Sequence, residues 1–170
     1  MSNDTPRFRW GHININVRDL DRSIVFYKSL GFEIMIPAIP YLGIDQSEAH
    51  QSLPDDAATA LGIPRETRGR ACIMQLGDGF PKIDLTELTD VTQTAPLTNA
   101  DIGLVRFCLG TEDLQSEVTR LKSAGVEFLS APKSGHQGLA DIAVCKDPDG
   151  TLIELLQIYP ERWQALLRPS

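Results

Sequence analysis

The chain has 170 residues, 42% hydrophobic and 23% charged, with 16 Lys and Arg against 23 Asp and Glu, for a formal charge of −7. That length is enough to bury a real core, and the composition is that of a folded chain rather than a disordered one. An acidic chain without a basic cluster gains little at phosphates, so nucleic acid is not an expected partner; no apolar run reaches the roughly 18 residues of a membrane helix, and residues 1–7 carry no apolar stretch of signal-peptide type.

The alternation in His12-Ile13-Asn14-Ile15-Asn16-Val17 predicts a first strand. Leu20, Ile24, Tyr27 and Gly31 then fall at helical spacing, with Asp19 as N-cap and Gly31 as the left-handed residue past the helix end. A short strand starts at Phe32. Residues 37–68, with Pro37, Pro40, Pro54 and Pro64, read as an insertion. Pro54 and Gly62 bracket a short helix there. The rest is expected to be loop, either a lid beside a rigid scaffold or a passive surface segment. Strands follow over 70–76 and 82–88, joined by a turn at Gly77-Asp78-Gly79.

After a polar joint over 89–101 the pattern repeats at an offset of 94. Asp19 meets Asp113, Ile24 meets Val118, Tyr27 meets Leu121, and Gly31 meets Gly125. The second copy is expected to hold a strand over 105–109, a helix N-capped at Thr111, a short strand from Val126, and strands over 140–145 and 151–158. Asp147-Pro148-Asp149-Gly150 between the last two is good type I turn chemistry. Past Pro160, Trp163, Leu166 and Leu167 fit a short docking helix. The fold class is therefore α+β, with βαβββ modules at 7–95 (containing the insertion 37–68) and 101–160, and a tail at 161–170. Cys72, Cys108 and Cys145 are odd in number and lack a C-x-x-C pair, so buried, reduced thiols in a cytoplasmic protein are expected rather than disulfides or structural zinc.

Side chains alternate across a strand. Ile13, Ile15 and Val17 are expected to face the helices, which turns His12, Asn14 and Asn16 to the other, concave side. By the same rule Arg106 and Cys108, Asp84 and Thr86, and Glu154 and Leu156 share that side in their strands.

The words H-I-N-I-N-V-R-D-L-D-R-S-I-V-F-Y-K-S-L-G-F-E and D-P-D-G-T-L-I-E-L-L resemble the opening and closing signatures of the vicinal oxygen chelate superfamily. That superfamily includes glyoxalase I, extradiol dioxygenases, methylmalonyl-CoA epimerase, fosfomycin-resistance transferases and bleomycin-binding proteins. The resemblance implies that the two modules form one curved, mixed eight-stranded sheet of glyoxalase type. It also implies a small-molecule substrate, a homodimer, and a divalent ion held by one residue from the first and last strand of each copy. Carried over, those positions fall on His12, Asp84, Arg106 and Glu154, with Glu87 an alternative to Asp84 if the register slips.

Arg106 stands where the resemblance expects histidine, and a guanidinium does not ligate. Two arrangements therefore stay open. One is a site of His12, Asp84 and Glu154 with water, suited to Zn, Ni, Mn or Fe. The other is a metal-free cluster of two carboxylates against Arg106 with His12 hydrogen-bonded. Arg106 is also able to clamp a substrate carboxylate or phosphate as a fork. No organic cofactor is expected.

Asp84 and Glu154 are the candidate proton-moving groups. Asn14, Thr86, Arg106 and His136 are the candidate substrate contacts, and His136 also a candidate proton shuttle or replacement ligand. His50, in the insertion, is expected to be a solvated loop residue. The function expected is a metal-assisted lyase or isomerase. The alternative is metal-free sequestration of the bleomycin-resistance type. An extradiol dioxygenase is less favoured, because only His12 stands at a ligand position while that chemistry uses two histidines and a carboxylate. No glutathione-site signature supports a transferase.

Overall fold

The protein is described by a computed structural model covering residues 8–90, 92 and 95–167, with the side chains of 164–167 outside the description. The chain divides into two compact units, within Met1–Gln93 and within Thr94–Ser170.

The first unit holds β1 (His12–Asn16), α1 (Leu20–Ser29), β2 (Glu33–Ile36), β3 (Ala38–Ile39), a 3-10 turn (Pro40–Leu42), β4 (Ile44–Asp45), β5 (Gln51–Ser52), α2 (Asp55–Leu61), β6 (Arg68–Gln75) and β7 (Lys82–Leu88). Its main sheet runs β1-β7-β6-β2, with β5 paired to β6. β1 lies parallel to β7, and the other pairs are antiparallel. Asp19 caps α1 by accepting the Arg22 N–H at 2.9 Å. Gly31, at φ +95°, turns the chain out of it. The buried stripe Leu20, Ser23, Ile24 and Tyr27 seats the helix on β7, over a core that includes Ile15, Val17, Cys72, Met74, Ile83 and Leu85.

The second unit holds β8 (Arg106–Gly110), α3 (Leu114–Ser123), β9 (Lys133–Ser134), a 3-10 turn (His136–Gly138), β10 (Ala140–Lys146), β11 (Leu152–Ile158) and α4 (Pro160–Leu167). Its sheet runs β8-β11-β10-β9. The first strand again lies parallel to the last, and the other pairs are antiparallel. Leu114, Val118 and Leu121 seat α3 on β10 and β11. The repeat extends to register: His12 pairs with Lys82 and Arg106 with Leu152, so Asp84 and Glu154 each lie two residues past the opening residue's partner.

Several expectations are corrected. The N-cap of α3 is Asp113, not Thr111. Asp113 stands next to the first helical residue and accepts the Ser116 N–H at 3.0 Å, while Thr111 accepts the Asp113 N–H at 3.2 Å. The strand expected from Val126 is reduced to an isolated Phe128–Cys145 bridge. Pro132 has no N–H to donate, and regular pairing beside β10 begins after it, at Lys133. The insertion is not loop alone, because it contributes β3, β4, β5 and a 3-10 turn besides α2. Cys72 and Cys145 are buried free thiols as expected, but Cys108 is exposed, since β8 is a sheet edge and Cys108 faces away from α3.

The terminal α4 is held to the turn before β10. The Trp163 indole donates to the Leu139 carbonyl at 2.8 Å, Arg162 donates to the Gly138 carbonyl, and the Arg162 guanidinium lies 4.1 Å from the Tyr159 ring centre.

Candidate functional site

In the first unit, the sheet face opposite α1 carries His12, Asn14 and Asn16 from β1 beside Lys82, Asp84 and Thr86 from β7, because residues paired across a sheet share a side. Asn14, Asn16 and Thr86 satisfy one another. The Asn14 amide donates to Asn16 at 3.0 Å and to Thr86 at 3.2 Å, and the Thr86 hydroxyl donates to Asn16 at 2.5 Å. Lys82 donates to Gln75 at 3.0 Å.

Asp84 is different. Its side chain is 1% exposed, and its Oδ2 lies 3.7 Å from His12 Nδ1 and accepts the Tyr41 hydroxyl at 2.6 Å. Its Oδ1 is buried without a hydrogen-bond partner among the described residues. Leaving a buried acceptor unpaired costs about 1–3 kcal/mol, more for a charged group. Such an atom marks a place where a ligand's proton donor is rewarded.

Tyr41 was not among the sequence candidates. It comes from the insertion. Pro40 opens its turn and Gly43, at φ +66°, closes it. The flanking Ile39, Leu42 and Ile44 form one buried cluster with Leu53 and Ala71, packed against Ile73 and Leu88. Ala71 and Ile73 pair with Thr86 and Asp84 and so lie on the same side as the polar residues. The insertion therefore covers part of this face and delivers a phenol to it, which is more than a passive loop does. The Tyr41 ring stacks on His12 at 6.1 Å between centres. Desolvation of the phenol, then its bond to Asp84, raise the Tyr41 pKa well above the ordinary tyrosine range, so it remains a neutral donor. The available signal in the sequence was an amphipathic ring between Pro40 and Gly43.

Glu87 faces α1, as alternation requires. It accepts the Leu20 N–H at 2.7 Å, lies 3.4 Å from Arg70, and pairs with His50 at 2.8 Å. A carboxylate at a helix N-terminus is in a favourable field, and these commitments remove Glu87 as a ligand on the other face. His50 is half-buried and paired, not solvated as expected.

In the second unit, Arg106 and Glu154 share the face opposite α3. Arg106 Nε meets Glu154 Oε2 at 2.5 Å, and Nη1 donates to Asn99 at 3.0 Å. Cys108 lies on this face beside Glu154. Partial desolvation of its sulfur, then the Glu154 charge, raise the Cys108 pKa against the opposing pull of Arg106. His136 is exposed in the turn His136–Gly138.

Neither unit, by its own described residues, gathers the donors for a resident divalent ion. Within either unit, among the described residues, no group of three or more His, Cys, Asp or Glu side chains is disposed to hold one. Asp84 already accepts a phenol. Glu154 is paired with Arg106; an ion about 5 Å from that guanidinium meets roughly 7 kcal/mol of repulsion at an effective dielectric of 20, most of which the carboxylate charge offsets.

Comparison with known proteins agrees with this architecture. The model of the Glyoxalase/Bleomycin resistance protein/Dioxygenase superfamily matches residues 9–155. Among solved structures, a glyoxalase family protein from Bacillus cereus is 18% identical, with 93% of this chain and 99% of that one covered at a TM-score of 0.70. The trypanothione-dependent glyoxalase I of Leishmania major is 24% identical, covering 94% and 93% at a TM-score of 0.59. Glyoxalase I from Zea mays is 22% identical, covering 88% of this chain and 44% of that one at a TM-score of 0.60. At such identities the likeness is one of fold. No curated protein matches the chain significantly. With a family model spanning both modules, the chain belongs to the Glyoxalase/Bleomycin resistance protein/Dioxygenase superfamily.

Proposed function

We propose that the chain binds a small oxygenated organic molecule and acts on it as a lyase or isomerase by moving a proton, with Asp84 as the group that takes and returns it. The observation that carries this reading is the buried, unpartnered Oδ1 of Asp84 beside His12. In the proposed step, Asp84 removes a proton from the carbon next to a carbonyl. When that carbon bears a hydroxyl, the C–H electrons become a C=C bond and the C=O π pair moves to the carbonyl oxygen, giving an enediolate; Asp84 then returns the proton to the former carbonyl carbon as the hydroxyl proton passes to the other oxygen. His12 is assigned to the oxygen on which charge develops. Asn14 and Thr86 line the same face as positioning contacts. No step is routed through a metal, for the reasons of donor chemistry given above. Glu154 is the second candidate base, with its charge matched by Arg106. A second copy of the chain is the proposed protein partner. The cytoplasm is the proposed compartment, which three unbridged thiols suit. No described helix is long and apolar enough to cross a membrane.

A second reading, binding without chemistry as in bleomycin-resistance proteins, is favoured by the Arg106–Glu154 pair, which puts a fixed cation where metal-binding relatives are expected to carry histidine. In that case Arg106, with five N–H donors, is the anchor for a carboxylate or phosphate, and His136 a rim contact.

One experiment separates the two. The protein is incubated in deuterium oxide with α-hydroxy ketones and with the methylglyoxal–glutathione hemithioacetal, and deuterium at carbon is followed by NMR. Exchange above buffer that falls about 100-fold or more in Asp84→Asn supports the lyase or isomerase. Binding without exchange, at an affinity unchanged in His12→Ala, overturns it in favour of sequestration.

A further inference from the structure

The polar face of the first unit is almost self-sufficient. Asn14, Asn16 and Thr86 bond to one another, and Lys82 bonds to Gln75. The exception is Asp84, whose two oxygens are treated unequally. Oδ2 accepts a phenol at 2.6 Å and stands 3.7 Å from His12, while Oδ1 has no partner among the described residues and is buried. The phenol belongs to the segment that distinguishes the first module from the second. Its turn is fixed by Pro40 and Gly43 and anchored by the buried side chains of Ile39, Leu42 and Ile44.

We propose that Tyr41 is a positioning and specificity residue: by occupying Oδ2 it fixes the Asp84 carboxylate with Oδ1 free, and so selects ligands that present a hydroxyl over ligands that offer acceptors alone. The proposal rests on the reading above that Asp84 faces the bound molecule. Its physical basis is asymmetric. A ligand hydroxyl that reaches Oδ1 removes an existing penalty, whereas an ether or carbonyl oxygen of the same size brings a second acceptor against a carboxylate. Without the phenol, the carboxylate is free to turn, neither oxygen is held toward the ligand, and the preference weakens.

The test uses the full chain, labelled with carbon-13, and two probes that differ by one proton donor, hydroxyacetone and methoxyacetone. Dissociation constants are read from the Asp84 carboxyl carbon and the β1 and β7 amides. In the wild type, hydroxyacetone is expected to bind about fivefold or more tightly than methoxyacetone, the effect of one buried hydrogen bond. In Tyr41→Phe, which keeps the ring, the difference is expected to fall within about twofold while the Ile39, Leu42 and Ile44 methyl signals stay in place. Asp84→Asn, which puts an amide where the free acceptor was, is expected to abolish the hydroxyacetone advantage with Tyr41 present. A preference that survives either substitution overturns the proposal. Equal binding of both probes to the wild type also overturns it and leaves the small-molecule reading intact. If neither probe shifts the polar face, that reading and this proposal fall together.

Discussion

The two modules share an order of elements, a strand register and a capped helix, yet their polar faces have diverged. The first sets an imidazole beside a buried carboxylate and adds a phenol from an insertion. The second sets a guanidinium against its carboxylate and has no comparable insertion. The core-forming positions agree because the repeat must bury the same helix stripe twice. The outward-facing positions are under no such constraint, and that is where chemistry differentiates. One module keeps a carboxylate with an unused oxygen, while the other keeps one whose charge is already matched.

The similarity of the cores is tested most severely by truncation. Tyr27 and Leu121 occupy equivalent buried positions at 0% and 1% exposure. Tyr27→Ala is expected to cost about 3–5 kcal/mol and Leu121→Ala about 2–5 kcal/mol, read as shifts of the urea midpoint by circular dichroism. A loss below about 1 kcal/mol at either site breaks the equivalence of the two helix seats.

The next effect is pH dependence. Burial pushes the Cys72 thiol in the first unit up to about 12, with Asp84 adding to it, and burial pushes Cys145 in the second up to about 11. Each folded-state pKa lies above the ordinary thiol value of about 9.0. The thiols' contribution to stability is therefore full below pH 9 and declines as the pH rises toward the folded values. The slope approaches about 1.4 kcal/mol per pH unit per thiol. Urea midpoints at intervals from pH 8 to pH 11 measure it. Cys72→Ala is expected to shallow the decline, and an unchanged slope places the titration elsewhere.

The smallest expected effect concerns the divergent faces. Chelator treatment followed by Zn²⁺, Ni²⁺ or Mn²⁺ is expected to move the wild-type Tm by less than about 1 °C. A tightly bound ion at one hundred times its Kd adds about 2.7 kcal/mol and shifts Tm by several degrees. Arg106→His frees Glu154 from its cation, and a rise in divalent-ion affinity of about tenfold sharpens the contrast between the modules. A several-degree shift in the wild type erases it.

Much of this arrangement was legible in the residues. The offset of 94, the apolar stripes at helical spacing and the alternation in β1 and β7 come from local periodicity, which burial imposes on any sequence that must hide one face. They were enough to place His12 and Asp84 on one side of a sheet and Glu87 on the other. The cap of α3 is ambiguous in the sequence because two oxygen-bearing side chains, Thr111 and Asp113, precede one helix, and only the backbone geometry decides which one caps it. Cys108 was expected to be buried because its neighbours are apolar, whereas its exposure depends on β8 being a sheet edge.

The sequence by itself determined the repeated βαβββ order, the helix stripes and the placing of Asp84 and Glu154 on the faces opposite the helices, because those depend on spacing along the chain. The tertiary structure alone decided that Tyr41 reaches Asp84, that His50 and Arg70 hold Glu87, and that Arg106 takes Glu154. Those contacts join residues far apart in sequence, and their partners are selected by how the insertion and strands pack.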